Sequence, residues 1–224
     1  MTNPPPKDNR QIRIVQAVIA EQHDEAHVIA VQNATLQLKA YAPLVLVQPS
    51  REFLLQAIVV PGEKTTEGQI IEAVTLPWFE IIALIQRDLS IIHQIDWRKW
   101  EEIIAGAYKA QGFDVILTPR SNDKGRDVIA TRSDFGSIRY FDQVKAYGPG
   151  NVVTLDQVQS MCGVLSTRGN VSKGYITTTS KFAPGIFTDE DIKRLMPYRL
   201  ELRDRVGLLE WLGDISLRSG KSAR

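Results

Sequence analysis

Two stretches decide how this chain of 224 residues folds: Gly125-Arg126-Asp127-Val128-Ile129-Ala130 and Tyr140-Phe141-Asp142-Gln143-Val144-Lys145. Each has polar residues inside an apolar run, a pattern typical of strands in a packed sheet. Side chains two positions apart on a strand point to the same face, so Gln143 and Lys145 share one. If the two strands pair, Asp127 joins them there.

A carboxylate, an amide and a lysine at one place are what metal-assisted phosphodiester hydrolysis needs. The carboxylate of Asp127 and a backbone carbonyl would hold Mg²⁺, a hard ion that prefers oxygen ligands and keeps several waters. The metal polarises the phosphate and activates a water. Lys145 would orient or deprotonate that water, or offset charge on the phosphate. The alternative is that Asp127 only caps a turn and that Gln143 and Lys145 line a solvated strand.

The pattern around these strands predicts a mixed sheet flanked by helices. Asp96 is a suitable N-cap for a helix that ends at Gly112. Three strands follow, and beyond them helices and strands alternate, which gives the order α-β-β-β-α-β-α-β-α. Early strands that meander and later strands that alternate with helices predict an α/β/α sandwich over residues 96–215.

Residues 11–95 are predicted to form a separate, small α+β module. Short β-rich runs lie between Ile12 and Val47, Pro61-Gly62 is a break, and the apolar positions from Leu76 to Ile92 have helical spacing. Residues 1–10 are predicted to be a disordered tail and residues 216–224 a flexible one.

Composition excludes several classes of protein. Hydrophobic residues are 43% and charged residues 24% of the chain, which excludes a disordered or collagen-like protein. The net charge is +1, but residues 1–96 carry −4 and residues 97–224 carry +5, so a polyanion is expected to bind the second part. A single cysteine, Cys162, excludes a disulfide scaffold. With neither an apolar leader nor a membrane span, a cytoplasmic protein with no membrane partner is expected.

The same motifs resemble those of the Mrr-type restriction endonucleases, a branch of the PD-(D/E)xK nuclease superfamily. The resemblance rests on Gly125-Arg126-Asp127 and Gln143-Val144-Lys145, preceded by Trp100-Glu101 on a helix and by Gly112-Phe113. Tyr175 to Phe182 is similar to the fourth strand of that family and the turn after it. The resemblance covers about residues 97–212, and Pro184 departs from it where the family continues into a helix.

The resemblance implies a set of site residues. Asp127 would be the metal-binding acid, Lys145 the catalytic lysine and Glu101 a helix-borne acid near the metal, with the carbonyl of Val144 as a further ligand. Gln143 takes the place of the second acid and lowers the charge at the metal. Residues expected to contact DNA phosphates form one further set: Lys124, Arg126, Thr179, Ser180 and Lys181.

The resemblance further implies a Mg²⁺-dependent DNA endonuclease of the restriction type, in which Mn²⁺ can replace Mg²⁺. Its partner would be double-stranded DNA, cut by a homodimer or larger homo-oligomer because two strands need two active sites. Residues 11–95 would recognise DNA or mediate dimerisation. Two alternatives stay open: a catalytically weak DNA-binding protein on the same fold, and a DNA repair or junction nuclease.

Overall fold

The structure, a computed structural model, describes residues 51–119, 125–134 and 136–221. The predicted tail at residues 1–10 and the β-rich runs before Val47 lie outside the described residues, as does Lys124. Within the described residues, the helices are too short or too polar to cross a bilayer.

A seven-stranded mixed sheet forms the middle of the molecule. Its strands are β1 (Val59–Lys64), β2 (Gln69–Val74), β3 (Asp114–Leu117), β4 (Val128–Ser133), β5 (Ser137–Lys145), β7 (Lys173–Thr178) and β9 (Leu200–Arg203), in that order across the sheet. Neighbours from β1 to β5 are antiparallel, and β5, β7 and β9 are parallel. Two short strands, β6 (Val152–Val153) and β8 (Lys181–Phe182), pair separately.

Helices cover both faces of the sheet. They are α1 (Arg51–Leu54), α2 (Leu76–Arg87), α3 (Trp97–Ala110), α4 (Leu155–Thr167), α5 (Glu190–Leu195) and α6 (Arg205–Lys221), with 3₁₀ turns at Leu89–His93 and Pro184–Thr188. The predicted ends of α3 are confirmed. The Asp96 side chain accepts a hydrogen bond from the Lys99 N–H, and Gly112 follows the helix with φ +83°.

Two apolar cores lie on opposite sides of the sheet. One packs α2, α3 and α6 against the sheet and contains Trp78, Trp100 and Leu212. The other packs α4 and α5 and contains Phe141, Val158 and Ile192. The layers are therefore helix, sheet, helix, and the predicted α/β/α sandwich with a mixed central sheet is confirmed.

The predicted boundary between residues 95 and 96 is wrong for the described part of the first module. Strand β2 pairs with β3, setting Gln69 opposite Leu117, and α2 packs against α6. Pro61-Gly62, taken for a break, lies inside β1 where the register shifts. An edge strand tolerates proline because one row of its N–H groups has no strand partner. Residues 59–95 therefore share the sheet and core of the following domain.

The predicted C-terminal tail is also corrected. Helix α6 continues to Lys221, so its backbone is helical through most of residues 216–224. Leu208, Leu212 and Ile215 are buried in the first core and hold the helix against the sheet. The predicted domain ended at residue 215, and helical hydrogen bonding carries α6 beyond that point.

Candidate active site

Asp127 lies where β4 begins, and its carboxylate binds the neighbouring strand. Its N–H donates to the Asp142 carbonyl at 2.9 Å, and its Oδ2 accepts from the Val144 N–H at 2.7 Å. The Asp127 side chain thus supplies the acceptor for a β5 N–H at the point where β4 begins. Gly125, with φ +76°, makes the turn that leads into this position. Asp127 therefore contacts the middle residue of Gln143-Val144-Lys145 directly.

Gln143 and Lys145 lie on the α4 side of the sheet. They share a face with Phe141, which precedes them by two and four residues and belongs to the core under α4. Val128 pairs with Asp142, and one further step of that register sets Asp127 opposite Gln143. Gln143 is buried, and a β-carbon at Gly125 would lie 3.9 Å from its Nε2 and 3.5 Å from Val164 of α4.

The end of strand β5 is fixed by its parallel neighbour. Lys145 pairs with Thr178, and its carbonyl accepts from the Thr178 hydroxyl at 2.7 Å and from the Thr179 N–H at 3.2 Å. Lys145 itself is half-buried. Its backbone is thus held on one side by β7, while the side chain extends from the face it shares with Gln143.

Glu101 reaches the same end of the sheet from the other layer. It lies on α3 with only 4% of its surface exposed and forms an ion pair with Arg98. Arg98 also donates to the Thr118 carbonyl at 3.1 Å, and the Thr118 N–H donates to the Asp127 carbonyl at 2.9 Å. A chain of polar contacts therefore connects Glu101 to the backbone of Asp127.

Two of the residues predicted to contact DNA are instead used inside the protein. Arg126 is buried, lies 4.5 Å from the Phe141 ring centroid and pairs with Glu67 at 3.3 Å. The Thr179 hydroxyl is also buried, accepting from the Tyr147 N–H and donating to its carbonyl. Their side chains are therefore engaged within the protein, and their contact with a DNA phosphate stays a prediction.

Ser180 and Lys181 differ from those two residues. Ser180 is half-buried and its hydroxyl donates to the Asn151 carbonyl. Lys181 is exposed and lines a groove of about 300 Å³ with Ser180 and the loop at residues 147–152. Lys181 therefore stays a candidate for binding phosphate, whereas the hydroxyl of Ser180 is engaged in shaping the loop.

Asp142 is buried, with 1% of its surface exposed. Its Oδ2 accepts from the Tyr108 hydroxyl at 2.9 Å and the Thr177 hydroxyl at 3.0 Å, and Arg203 lies 3.6 Å away. Burial raises the pKa of this carboxyl to about 6, although Arg203 opposes the rise. Burial also raises the pKa of Tyr108 well above its usual range. The sequence signal was an acid on a strand that helices cover on both faces.

The oxygen donors at this place suit a hard divalent ion. Asp127 supplies a carboxylate, Gln143 an amide oxygen and Val144 a carbonyl, which points to the same strand edge as its N–H. Mg²⁺ binds through one or two carboxylates and keeps several waters, so this small donor set fits it. Among the described residues, no group of three or more His, Cys, Asp or Glu could hold a metal, so soft or imidazole-rich sites do not fit.

Comparison with known proteins places the domain in a family. Residues 92–212 match the family model Mrr_cat, described as a restriction endonuclease. An uncharacterized protein, y4cE, of Sinorhizobium fredii is 25% identical over 123 residues, which cover 54% of this chain and 31% of that protein. The chain therefore spans less than a third of that relative in the aligned region.

Two solved structures are similar to parts of this chain. The DNA modification-dependent restriction endonuclease AspBHI is 16% identical, with a TM-score of 0.42. The superposed region covers 81% of this chain and 42% of the AspBHI chain. The MspJI restriction endonuclease in complex with a 27-mer oligonucleotide shares 16% identity with a TM-score of 0.38, covering 80% of this chain and 39% of its own.

Proposed function

We propose that this chain, which belongs to the Mrr-type restriction endonuclease family through residues 92–212, is a Mg²⁺-dependent endonuclease that hydrolyses phosphodiester bonds of double-stranded DNA. The observation that supports this most is the 2.7 Å hydrogen bond from the Val144 N–H to Asp127 Oδ2. It joins the acid of the first motif to the middle residue of the second. We further propose that this activity serves in the cell as a restriction-type defence against foreign or modified DNA.

The proposed reaction divides its work among the metal ligands, a lysine and a helix-borne acid. Asp127, Gln143 and the Val144 carbonyl would hold Mg²⁺, which supplies a Lewis acid and an activated water when bound. Lys145 would orient or deprotonate the attacking water, or offset charge on the phosphate as it becomes pentacovalent. Glu101 would be the acid supplied by α3, and its pairing with Arg98 supports a role in orienting the Asp127 end of β3 and β4.

Gln143 favours one competing function. An amide in place of a second acid lowers the negative charge available to the metal, so the chain could be a catalytically weak DNA-binding protein. Gln143→Glu separates the two. If the amide contacts the metal, the added charge lowers the Mg²⁺ concentration that gives half-maximal cleavage. An unchanged Mg²⁺ dependence would remove Gln143 from the proposed ligands.

The decisive experiment incubates the chain with supercoiled plasmid and Mg²⁺, beside an Asp127→Asn control. Asparagine keeps the shape and an oxygen that can accept from the Val144 N–H, but it lacks the charge that binds the metal. We expect the parent to nick or linearise plasmid in Mg²⁺ or Mn²⁺ and not in EDTA, and the variant to be inactive although it unfolds at a similar temperature. Equal cleavage by parent and variant would contradict the proposal.

Substrate and assembly are tested on the same preparation. A panel of linear duplex, modified duplex and four-way junction DNA distinguishes restriction from a repair or junction nuclease, which would cut the junction preferentially. Because cutting both strands needs two active sites, we propose a homodimer or larger homo-oligomer, measured by sedimentation with and without DNA. We further propose that the N-terminal part recognises DNA or mediates that assembly.

A further inference from the structure

The groove that Lys181 lines opens where the strand that carries Lys145 ends. It is lined by the loop at residues 147–152, by residues 179–181, by His93 and by Arg205. We propose that this groove binds the sugar-phosphate backbone of DNA next to the cleaved bond. This inference rests on the proposed nuclease function and adds Arg205, His93 and the loop to the substrate-binding surface.

The charge of the groove supports a polyanion. Lys181 and Arg205 bring positive charge to it, and among the described residues that line it there is no carboxylate. Lys181 and Arg205 have no acidic partner within the described part of the chain, whereas Lys173 and Lys193 pair with glutamates. Cations that converge without acids are typical of phosphate binding.

The walls of the groove are fixed by hydrogen bonds within the protein. The Thr179 hydroxyl bonds both the N–H and the carbonyl of Tyr147, and the Gln157 amide donates to the Tyr147 hydroxyl. Ser180 donates to the Asn151 carbonyl, and its own carbonyl accepts from the Arg205 N–H at 2.9 Å. Thr179 and Ser180, predicted from sequence to bind DNA, thus also shape the groove.

The groove also lies at the right place for a continuous DNA strand. Tyr147 follows Lys145 by two residues, so their α-carbons are at most about 7 Å apart. DNA rises ~3.4 Å per nucleotide along its axis, and the winding backbone separates neighbouring phosphates by more than this rise, so the separation is within about one or two nucleotides. A strand whose phosphate lies at Lys145 would therefore pass its flanking phosphates over the groove.

The test measures DNA binding by Lys181→Ala, Arg205→Ala and the double variant of the full chain, on a fluorescent duplex in EDTA at several salt concentrations. Each phosphate contact contributes about 0.9 to the slope of log affinity against log salt. Each single variant should therefore lose about 0.9 of slope, and its affinity gap from the parent should shrink about threefold to fourfold between 50 and 200 mM salt. Lys193→Ala, which removes an exposed lysine outside the groove, is the matched control.

Folding and chemistry are checked separately. All variants should unfold at the parent temperature, because Lys181 is exposed and alanine is accepted in the first turn of α6. Lys193→Ala should need the same protein concentration as the parent for half-maximal single-turnover cleavage. The groove variants should need more, because the groove holds substrate and does not act on the reacting atoms.

The outcomes separate this inference from the proposed function. Slopes of the groove variants equal to the slope of Lys193→Ala overturn the groove, even if the parent cuts plasmid. Reduced slopes with a parent that does not cut support the groove and overturn the nuclease proposal. Reduced slopes with a parent that cuts plasmid support both.

Discussion

Both faces of strand β5 carry polar residues, but the two faces lie in different environments. On one face, Asp142 is enclosed by Tyr108, Thr177 and Arg203. On the other face, Gln143 and Lys145 lie beside Asp127, at the end of the strand. Asp142 and Lys145 are only three residues apart in sequence. The acid belongs to a buried network, whereas the lysine extends from the end of the strand. The difference teaches that the environment, not the residue type, assigns the role.

The buried face connects the sheet to two helices. Arg203 of β9 lies 3.9 Å from the Trp211 ring centroid of α6 and 4.9 Å from that of Tyr175 on β7. Asp142 joins this arginine to Tyr108 of α3. The network thus ties β5 to β7, β9, α3 and α6. A strand held in this way gives Gln143 and Lys145 a rigid base, which a site for phosphoryl chemistry requires.

Removing the buried acid should give the largest effect on stability. Asp142→Ala takes the nearer and buried carboxylate from Arg203 and leaves it Glu201 at 3.8 Å. It also takes an acceptor from Tyr108 and Thr177. Breaking one side of a buried ion pair costs about 3–5 kcal/mol. We expect the free energy of unfolding, measured by urea denaturation, to fall by that amount. A loss below about 1 kcal/mol would show that the two faces of β5 do not differ as described.

Removing the lysine from the other face should affect the reaction and leave stability nearly unchanged. Lys145→Ala takes away a charge that acts on the transition state, a loss that typically slows cleavage ~10²–10³-fold, about 3–4 kcal/mol. Its backbone bonds to Thr178 and Thr179 do not need the side chain. Plasmid cleavage and urea denaturation are measured on one preparation. A variant that cuts as fast as the parent would show that Lys145 is not catalytic.

Much of the fold could be predicted because its signals are local. Asp96 and Gly112 bound α3 through their own backbone and side-chain preferences, and apolar spacing located the strands around them. Apart from the short strands β6 and β8 and the 3₁₀ turn at Pro184–Thr188, the element order over residues 96–212 is as predicted. The resemblance to the restriction endonuclease family is confirmed by the family model that matches residues 92–212. The roles of Asp127, Gln143, Lys145 and Glu101 remain predictions.

What the sequence missed depends on partners far away in the chain. Asp142 is buried because Arg203 and Tyr108 compensate it, and neither is its neighbour in sequence. Arg126 faces inward because Glu67, on the turn between β1 and β2, pairs with it. The turn joins two strands of the sheet, so the shared sheet and the inward position of Arg126 have one cause. Pairing between distant segments leaves no periodic signal in either segment.

The pKa of Asp142 predicts a pH dependence that isolates the buried face. Its folded-state value of about 6 lies above the ordinary value of 3.8, so folding takes up a proton between these values. Its contribution to stability is therefore present below pH 4 and is lost as the pH rises through 6. A shift of about two units corresponds to about 3 kcal/mol.

Asp142→Asn is the matched variant, because it cannot ionise. Urea denaturation in EDTA at pH 4 and pH 7 gives the difference in stability between parent and variant at each pH. We expect that difference to move by up to about 3 kcal/mol against the parent as the pH rises. A difference that does not change with pH would mean that Asp142 has an ordinary pKa.

The smallest expected effect comes from ion pairs on the face of β5 that carries Gln143 and Lys145. Glu67 pairs with Arg126 and with Arg139, which shares a face with Phe141 and Gln143, and the glutamate side chain is 32% exposed. Because solvent screens a partly exposed pair, Glu67→Gln should lower the free energy of unfolding by about 1 kcal/mol, well below Asp142→Ala. Glu190→Gln, which breaks an exposed pair with Lys193 on α5, is the control and should cost close to nothing. If Glu67→Gln destabilises the chain as much as Asp142→Ala does, then the turn between β1 and β2 is as tightly coupled to β5 as the buried network, and the contrast between the two faces disappears.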